Sequence, residues 1–212
     1  MSGLPAFPRR GLYALTPDDG ATLATLIARV SAAIDGGTAV VQYRDKRAAP
    51  AARRACAGAV VEHCHARGVP LIVNDDVELA AAIGAAGVHL GRDDGTVAAA
   101  RTRLGPQRIV GVSCYDSVER ALEAADAGAD YVAFGSCYPS ATKPRAIRCG
   151  VEVLAAAAAE LTLPIVAIGG ITPENAGPLL AAGAGLVAVI GALFDGDDPA
   201  AAARAFARLF CS

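Results

Sequence analysis

The segment VVQYRDK, residues 40–46, carries the residue types with the clearest chemical potential in the chain. Its apolar, β-branched start predicts a buried strand, yet an amide and two cations follow. Because side chains alternate between the faces of a strand, Gln42, Arg44 and Lys46 are expected to share one face. That face would suit a multiply charged anion such as pyrophosphate. The alternative is that the strand has ended and its charges are solvated.

Carboxylates follow the apolar segments LIVN and GVHLG. Hard oxygen ligands at neighbouring strand ends suit Mg²⁺ that bridges to phosphate oxygens. The competing interpretation is helix N-capping, by Asp76 before VELAAAIG and by Asp94 before GTVAAAR. We expect Asp75 and Asp94 to bind the metal while Asp76 caps a helix. Asn74 and Asp75 can both line the site only if the pleat has ended there.

A polar loop supplies further candidates. The segment GSCYPSATK brings Lys143, a third cation, together with the hydroxyl groups of Ser140 and Thr142. Ser113 ends the apolar segment RIVGVS. These residues would add to the anion site if all the strand ends meet in one cavity.

Glycines follow two late apolar segments, at Gly169 and Gly170 and again at Gly191. Glycine lets backbone N–H groups approach a phosphate closely, and Thr172 with Pro173 predicts a helix start beside the first pair. These features together indicate a second phosphate site.

Other reactive residue types show no catalytic pattern. The six cysteines form no CxxC pair and no zinc-type spacing, so we expect reduced, structural thiols. His89 and Tyr13 lie inside apolar segments, where core packing is expected. We find no Ser–His–Asp set and no acid/base carboxylate pair. Two anion sites with a metal indicate a transfer reaction in which one substrate loses pyrophosphate.

Eight short apolar segments must position these residues, and an Ala-rich helical segment follows each one. The predicted strands are 11–15, 39–44, 70–74, 87–91, 108–113, 130–135, 164–170 and 186–191. The predicted helices are 20–35, 50–67, 77–85, 95–104, 117–127, 151–160, 174–182 and 199–210. Ser117 or Asp116 is expected to start the fifth helix, and glycines in AAG (85–87), DAG (126–128) and AAG (181–183) to end helices.

This alternation predicts an α/β fold, a single-domain (β/α)8 TIM barrel over residues 1–212 with a short N-terminal extension, 1–10. In such barrels the active site lies at the C-terminal ends of the strands, where the polar residues gather. A doubly wound open sheet is the alternative, although no GxGxxG follows the first strand.

Composition excludes several classes of protein. Hydrophobic residues make up 54% and charged residues 19%, which is typical of a globular protein and not of a disordered one. A net charge of −2 gives no general attraction for nucleic acid or an anionic membrane. No apolar segment resembles a signal peptide or a membrane span, so we expect a cytoplasmic protein without nucleic-acid or membrane partners. The sequence leaves a homo-oligomer open.

The segments LYALTP, VQYRDK, VNDD, GVHLG, GVSCY, GSCYPSATK and AIGGITPENA resemble, in order and spacing, the thiamine-phosphate synthase (thiamine-phosphate pyrophosphorylase) family. The resemblance covers nearly the whole chain. It implies a transferase of thiamine biosynthesis that couples a hydroxymethylpyrimidine diphosphate to a (carboxy)thiazole phosphate, with Mg²⁺ and through a carbocation.

The resemblance also implies site residues. The pyrimidine diphosphate would be bound by the segment from Gln42 to Lys46 and by residues of three later loops; Arg44, Lys46 and Lys143 would be catalytic. The full set is Gln42, Tyr43, Arg44, Asp45, Lys46, Asn74, Ser113 and Lys143. Within it, strand alternation assigns Tyr43 and Asp45 structural roles. The thiazole phosphate would be bound by Ser140, Ala141, Thr142, Gly170, Ile190 and Gly191, and one Mg²⁺ per subunit by Asp75 and Asp94.

The chain departs from the family pattern at a few positions. Arg92 replaces a common Gln after GVHLG, while Asp94 keeps the ligand position. Ser136 replaces a Pro, Ser140 replaces a Thr but retains the hydroxyl, and Gly191 replaces a Ser and loses one.

Three alternative functions remain. A thiazole tautomerase-like relative would lack the cation and metal set, and a non-catalytic binding barrel would not need it. A sugar-phosphate epimerase or isomerase would need a proton-transfer pair and one phosphate site.

Overall fold

The computed structural model describes residues 6–139 and 148–211, which form a closed barrel of eight parallel strands. Each strand pairs with its sequence neighbour, and β1 closes the barrel against β8. The strands are β1 (Gly11–Leu15), β2 (Thr38–Tyr43), β3 (Leu71–Asn74), β4 (Gly87–Leu90), β5 (Ile109–Tyr115), β6 (Tyr131–Phe134), β7 (Ile165–Ile168) and β8 (Leu186–Val189). The predicted barrel is confirmed, and the open-sheet alternative is wrong.

Helices surround the barrel. They are α1 (Leu23–Asp35), α2 (Pro50–His65), α3 (Val77–Ala82), α4 (Val97–Leu104), α5 (Val118–Asp126), α6 (Val151–Glu160), α7 (Gly177–Ala181), α8 (Gly191–Phe194) and α9 (Pro199–Ala207), followed by a 3₁₀ turn (Arg208–Phe210). The short helix α8 was not predicted. No helix in the described parts of the chain is long and apolar enough to cross a membrane.

The start predicted for α7 at Thr172 and Pro173 is wrong. The Thr172 carbonyl accepts from the Ala176 N–H in a single turn, and the regular helix begins only at Gly177. Pro178 explains the break, because it has no N–H to give to the preceding turn.

Helix caps separate the two interpretations of the aspartates. Asp76 caps α3 by accepting from the Leu79 N–H, as predicted. Thr96, not Asp94, caps α4 by accepting from the Ala99 N–H. The capping alternative for Asp94 is therefore wrong, and its carboxylate does not contact the N-terminus of α4 as a cap.

The remaining cap predictions are mostly confirmed. Ser117 caps α5, and the helices before Gly128 and Gly183 end as expected, with both glycines at positive φ. The third stop is Gly84 (φ 69), not Gly87, which begins β4.

The core has two layers. One cluster fills the space between barrel and helices, and includes Tyr43, Leu90 and Phe134. A second cluster fills the barrel interior, where Tyr13 and Tyr131 are among the largest fully buried side chains. From the N-terminal segment, the Phe7 ring stacks on Tyr131 with centroids 3.9 Å apart.

Candidate active site

The two faces of β2 separate as alternation predicts. Gln42 is buried in the barrel interior, where its Nε2 donates to Tyr13 Oη at 2.8 Å. Tyr43 packs outward with the helices, and its hydroxyl donates to Asp45 Oδ2 at 3.2 Å.

Asp45 organises the turn that follows. Burial raises the pKa of its carboxyl, but the N–H groups of Ala48 and Arg47 outweigh this effect and hold the pKa below its usual range. The side chains of Tyr43 and Asp45 thus bind each other and the local backbone, while their contact with a ligand stays a prediction.

The strand ends at Tyr43, so the pleat does not direct Arg44 and Lys46; the β1–α1 loop does. The Arg44 N–H donates to Thr16 Oγ1 at 2.9 Å, and its Nη1 lies 3.6 Å from Asp18 Oδ2. The same Asp18 oxygen accepts from the Lys46 N–H at 3.1 Å. Sequence reasoning missed Thr16 and Asp18, although both follow Leu15 at the end of β1, where the strand-end rule would have found them.

Lys46 reaches the acidic strand ends. Its Nζ lies 2.9 Å from Asp75 Oδ2, so its charge is not simply solvated although 57% of the side chain is exposed. Asp75 has φ 66, which ends the pleat after Asn74. Lys46, Asn74 and Asp75 border a cavity of about 60 Å³, whose wall also includes Tyr43, Val73 and Leu79 from the layer between barrel and helices, so this cavity extends outward from the strand ends.

Asp94 completes this cluster. Its Oδ2 accepts from the Gly91 N–H at 2.8 Å. Burial raises the pKa of the Asp94 carboxyl, and the hydrogen bond and negative charge of Asp75 raise it further, against the Gly91 N–H and the Lys46 charge. Two carboxylates that raise each other's cost of ionisation form a donor set that suits a hard divalent cation.

The described residues contain no group of three or more Asp, Glu, His or Cys side chains that could hold a metal. Two carboxylates nevertheless fit Mg²⁺, which usually binds one or two carboxylates and completes its shell with waters and substrate phosphates.

His89 and Ser113 connect the mouth to the barrel interior. His89 is buried, as expected for a core residue, but it also bridges two polar groups: its Nε2 lies 2.8 Å from Ser113 Oγ and its Nδ1 2.9 Å from Tyr131 Oη. Arg120, which sequence reasoning missed, donates from Nε to the Ser113 carbonyl at 2.8 Å. Ser113 is therefore fixed from two sides.

Arg92, one of the departures from the family pattern, lies on the neighbouring loop. Its guanidinium stands 4.9 Å from the centroid of the Tyr115 ring, and its N–H contacts the Tyr115 hydroxyl at 3.3 Å. The substituted residue thus packs on the end of β5.

The glycines after β7 allow two loops to approach closely. Gly170 has φ 61, and a Cβ on it would collide with the Pro139 carbonyl oxygen. The Tyr138 N–H donates to the Gly169 carbonyl at 2.9 Å, and the Tyr138 hydroxyl donates to the Asn175 carbonyl at 2.8 Å. The Asn175 side chain in turn donates to the Gly170 carbonyl at 3.0 Å.

The rest of the second phosphate site is placed only in part. Ile190 is the N-cap residue of α8 and Gly191 its first residue, so backbone N–H groups lie at this strand end. Ser140, Ala141, Thr142 and Lys143 lie outside the described residues.

Comparison with known proteins identifies the family of the chain. The family model described as thiamine monophosphate synthase matches residues 12–193. A thiamine-phosphate synthase from Methylobacillus flagellatus is 53% identical over 203 residues, which cover 96% of each chain. One from Thiobacillus denitrificans is 54% identical over 202 residues, which cover 95% of each chain.

A solved structure agrees as well. The thiamine phosphate pyrophosphorylase from Pyrococcus furiosus superposes with a TM-score of 0.84 at 32% identity over 95% of both chains. The chain therefore belongs to the thiamine monophosphate synthase family, and it is an enzyme of the transferase class.

Proposed function

We propose that the chain couples 4-amino-2-methyl-5-hydroxymethylpyrimidine diphosphate to a (carboxy)thiazole phosphate, which releases pyrophosphate and forms thiamine phosphate. The observation that carries the proposal is the cluster of Lys46, Asp75 and Asp94, with Arg44 beside it, at the C-terminal end of the barrel. Cations next to a carboxylate pair suit a diphosphate and its metal better than they suit a neutral substrate.

The diphosphate would lie between the strand ends of β2, β3 and β5. Arg44 and Lys46, with Lys143 from the segment that follows β6 in the sequence, would donate charge-assisted hydrogen bonds to its oxygens. Asn74 and Ser113 would add neutral donors. Gln42 would contact the pyrimidine from the barrel interior, where it is buried.

One Mg²⁺ held by Asp75 and Asp94 would neutralise the charge that develops on the departing pyrophosphate. Lys46 would then exchange its contact with Asp75 for the diphosphate, because the metal satisfies that carboxylate. The chain's own cations would stabilise the leaving group once the C–O bond breaks.

A dissociative route needs no strong protein base, and the sequence shows no pair of carboxylates spaced for acid/base catalysis. A carbocation stabilised by the pyrimidine would be captured by the thiazole nitrogen, and this step removes no proton from carbon. Where the thiazole carries a carboxylate, its loss would follow coupling. The thiazole phosphate would bind the backbone N–H groups at Gly170, Ile190 and Gly191 and the residues 140–142.

The test is a coupled-product assay on the purified chain, with both substrates and Mg²⁺ and with each component left out in turn. We expect pyrophosphate and thiamine phosphate in equal amounts, and neither product when a substrate or Mg²⁺ is missing. If the complete mixture yields neither product, the proposal fails; pyrophosphate without the thiazole would identify a hydrolase instead.

A further inference from the structure

A chain of polar side chains crosses the barrel interior beneath the candidate site. Gln42 Nε2 donates to Tyr13 Oη at 2.8 Å, and Tyr13 Oη lies 2.9 Å from Tyr131 Oη. Tyr131 Oη is 2.9 Å from His89 Nδ1, and His89 Nε2 is 2.8 Å from Ser113 Oγ. This series of hydrogen-bonded side chains thus joins β2 to β5 through the centre of the barrel.

The two phenols keep their protons. Burial raises the pKa of Tyr13 and of Tyr131 well above the usual value. Tyr13 is 1% exposed and Tyr131 is fully buried, so neither hydroxyl can donate to bulk water. Each phenolic proton must therefore find an acceptor within the protein, since an unpaired buried donor is costly.

The positions of these protons follow in order. Tyr13 Oη accepts from Gln42, and its other hydrogen-bonding neighbour within the described residues is Tyr131 Oη, so the Tyr13 proton goes there. Tyr131 Oη then accepts from Tyr13 and donates to His89 Nδ1, its other hydrogen-bonding neighbour in the same part of the chain. A proton on Nδ1 would reverse this bond and leave one of the two phenolic protons, that of Tyr131 or that of Tyr13, without an acceptor.

We infer that Tyr13 and Tyr131 are positioning residues that hold His89 as the neutral Nε2–H tautomer and thereby make Ser113 a hydrogen-bond donor toward the cavity mouth. With Nδ1 accepting, Nε2–H donates to Ser113 Oγ. The Ser113 proton then points away from His89. It can donate to an oxygen of an anionic substrate, which carries no proton of its own to give.

This arrangement matters because the serine hydroxyl has two possible orientations. If His89 Nε2 were the acceptor, the Ser113 hydroxyl would donate its proton to His89, and a lone pair of Ser113 Oγ would face the anion. The buried tyrosines select the other orientation before the substrate arrives, which lowers the cost of binding.

The test begins with the tautomer of His89, which is measured on the full-length protein without substrate. Two-bond ¹H–¹⁵N NMR correlations of the imidazole report which nitrogen carries the proton, and His89→Gln assigns the signal among the three histidines. We expect Nε2 protonated and Nδ1 unprotonated. Protonation at Nδ1, alone or together with Nε2, would overturn the inference.

Tyr131→Phe should remove the hydrogen bond to Nδ1, so the His89 signals should shift toward a mixture of tautomers. Tyr138→Phe is the matched control, because its hydroxyl bonds to Asn175 and lies off this chain. Unchanged His89 signals in Tyr131→Phe, or an equal change in Tyr138→Phe, would count against the positioning role.

The functional consequence rests on the proposed function. Tyr131→Phe should raise the KM for the pyrimidine diphosphate about 2- to 12-fold, the equivalent of one neutral hydrogen bond, with little change in kcat. In a Ser113→Ala background the same change should have an effect below about twofold, because the group through which Tyr131 acts is gone. Additive effects would overturn the inference.

The two hypotheses can fail separately. The expected tautomer in a protein that makes no thiamine phosphate would refute the proposed function and leave the hydrogen-bond chain standing. An active enzyme in which His89 is the Nδ1–H tautomer would refute the positioning role of the tyrosines and leave the proposed function standing.

Discussion

Lys46 Nζ lies 2.9 Å from Asp75 Oδ2, which joins the end of β2 to the end of β3 across the candidate site. A cation thus already sits against a carboxylate that we propose as a metal ligand. The pair is partly exposed, so the ion pair itself adds little to stability. The Lys46 ammonium group and the proposed metal would contact the same Asp75 oxygen. Because the diphosphate would bind beside the metal, it would also lie within reach of Lys46.

Lys46→Ala should abolish most of the activity without unfolding the protein. The side chain is 57% exposed, so its removal should cost little packing. Losing one preorganised donor to a developing anion costs roughly 100-fold or more in rate. Pyrophosphate release should fall by that factor, while circular dichroism and Tm stay near wild type.

Arg47→Ala is the matched control for this change, because Arg47 is an exposed cation on the same turn. If both variants lose activity equally, or if Lys46→Ala retains it, the placement of the charge cluster is wrong.

Asp75 offers a way to separate metal binding from backbone strain. At φ 66 it occupies the left-handed region, which Asn tolerates well and Ala does not. Asp75→Asn should therefore keep the fold but need much more Mg²⁺ for activity. Asp75→Ala should lose activity and also about 1–2 kcal/mol of unfolding free energy. Magnesium titrations of pyrophosphate release and denaturant unfolding measure the two effects.

Asp76→Asn is the control for the metal assignment. Asp76 caps α3, and Asn is an equally good N-cap, so this variant should retain wild-type Mg²⁺ dependence. A larger Mg²⁺ requirement in Asp76→Asn than in Asp75→Asn would exchange the roles that we assign to the two aspartates.

Asp18 should affect activity by orienting the segment of Arg44 and Lys46, which its carboxylate contacts. Asp18→Asn keeps an oxygen that can accept from the Lys46 N–H, whereas Asp18→Ala removes it. We expect kcat/KM to stay within about threefold of wild type in Asp18→Asn and to fall about tenfold in Asp18→Ala, consistent with one lost hydrogen bond that orients charged groups. Steady-state kinetics with the pyrimidine diphosphate varied would show it. Equal losses in both variants would point instead to the carboxylate charge.

Local patterns were sufficient to predict the barrel, because each strand is an apolar segment followed by its own helix. The same patterns predicted that Gln42 and Tyr43 face opposite ways and that Asp76 caps α3. They failed at the start of α7, where the signal at Thr172 was followed by Pro178 five residues into the predicted helix. They also missed α8, since four residues are too few to show a helical period.

Contacts between distant residues were not predictable. Tyr13 and Tyr131 are 118 positions apart, and nothing in either segment announces a hydrogen bond between them. From the sequence alone we therefore predicted only core packing for Tyr13 and His89. The closed barrel brings both residues into one series of hydrogen bonds. Asp94 was ambiguous for a different reason: it and Thr96 are both good caps, and the choice depends on where the loop places each side chain.

The buried thiols Cys137 and Cys149 should differ sharply in acidity. Interaction with the Cys149 thiol lowers the pKa of Cys137 more than burial raises it. Interaction with Cys137 and burial together raise the pKa of Cys149. By contrast, burial raises the pKa of Cys114 to about 12.

In thiol labelling with iodoacetamide followed by peptide mass spectrometry, the reactivity of Cys137 should therefore increase at a lower pH than that of Cys114. Cys149→Ala should remove this interaction and shift the Cys137 profile to higher pH, and Cys211→Ala, at an exposed site near the C-terminus, should not. An unchanged Cys137 profile in Cys149→Ala would mean that the two sulfurs do not share a proton.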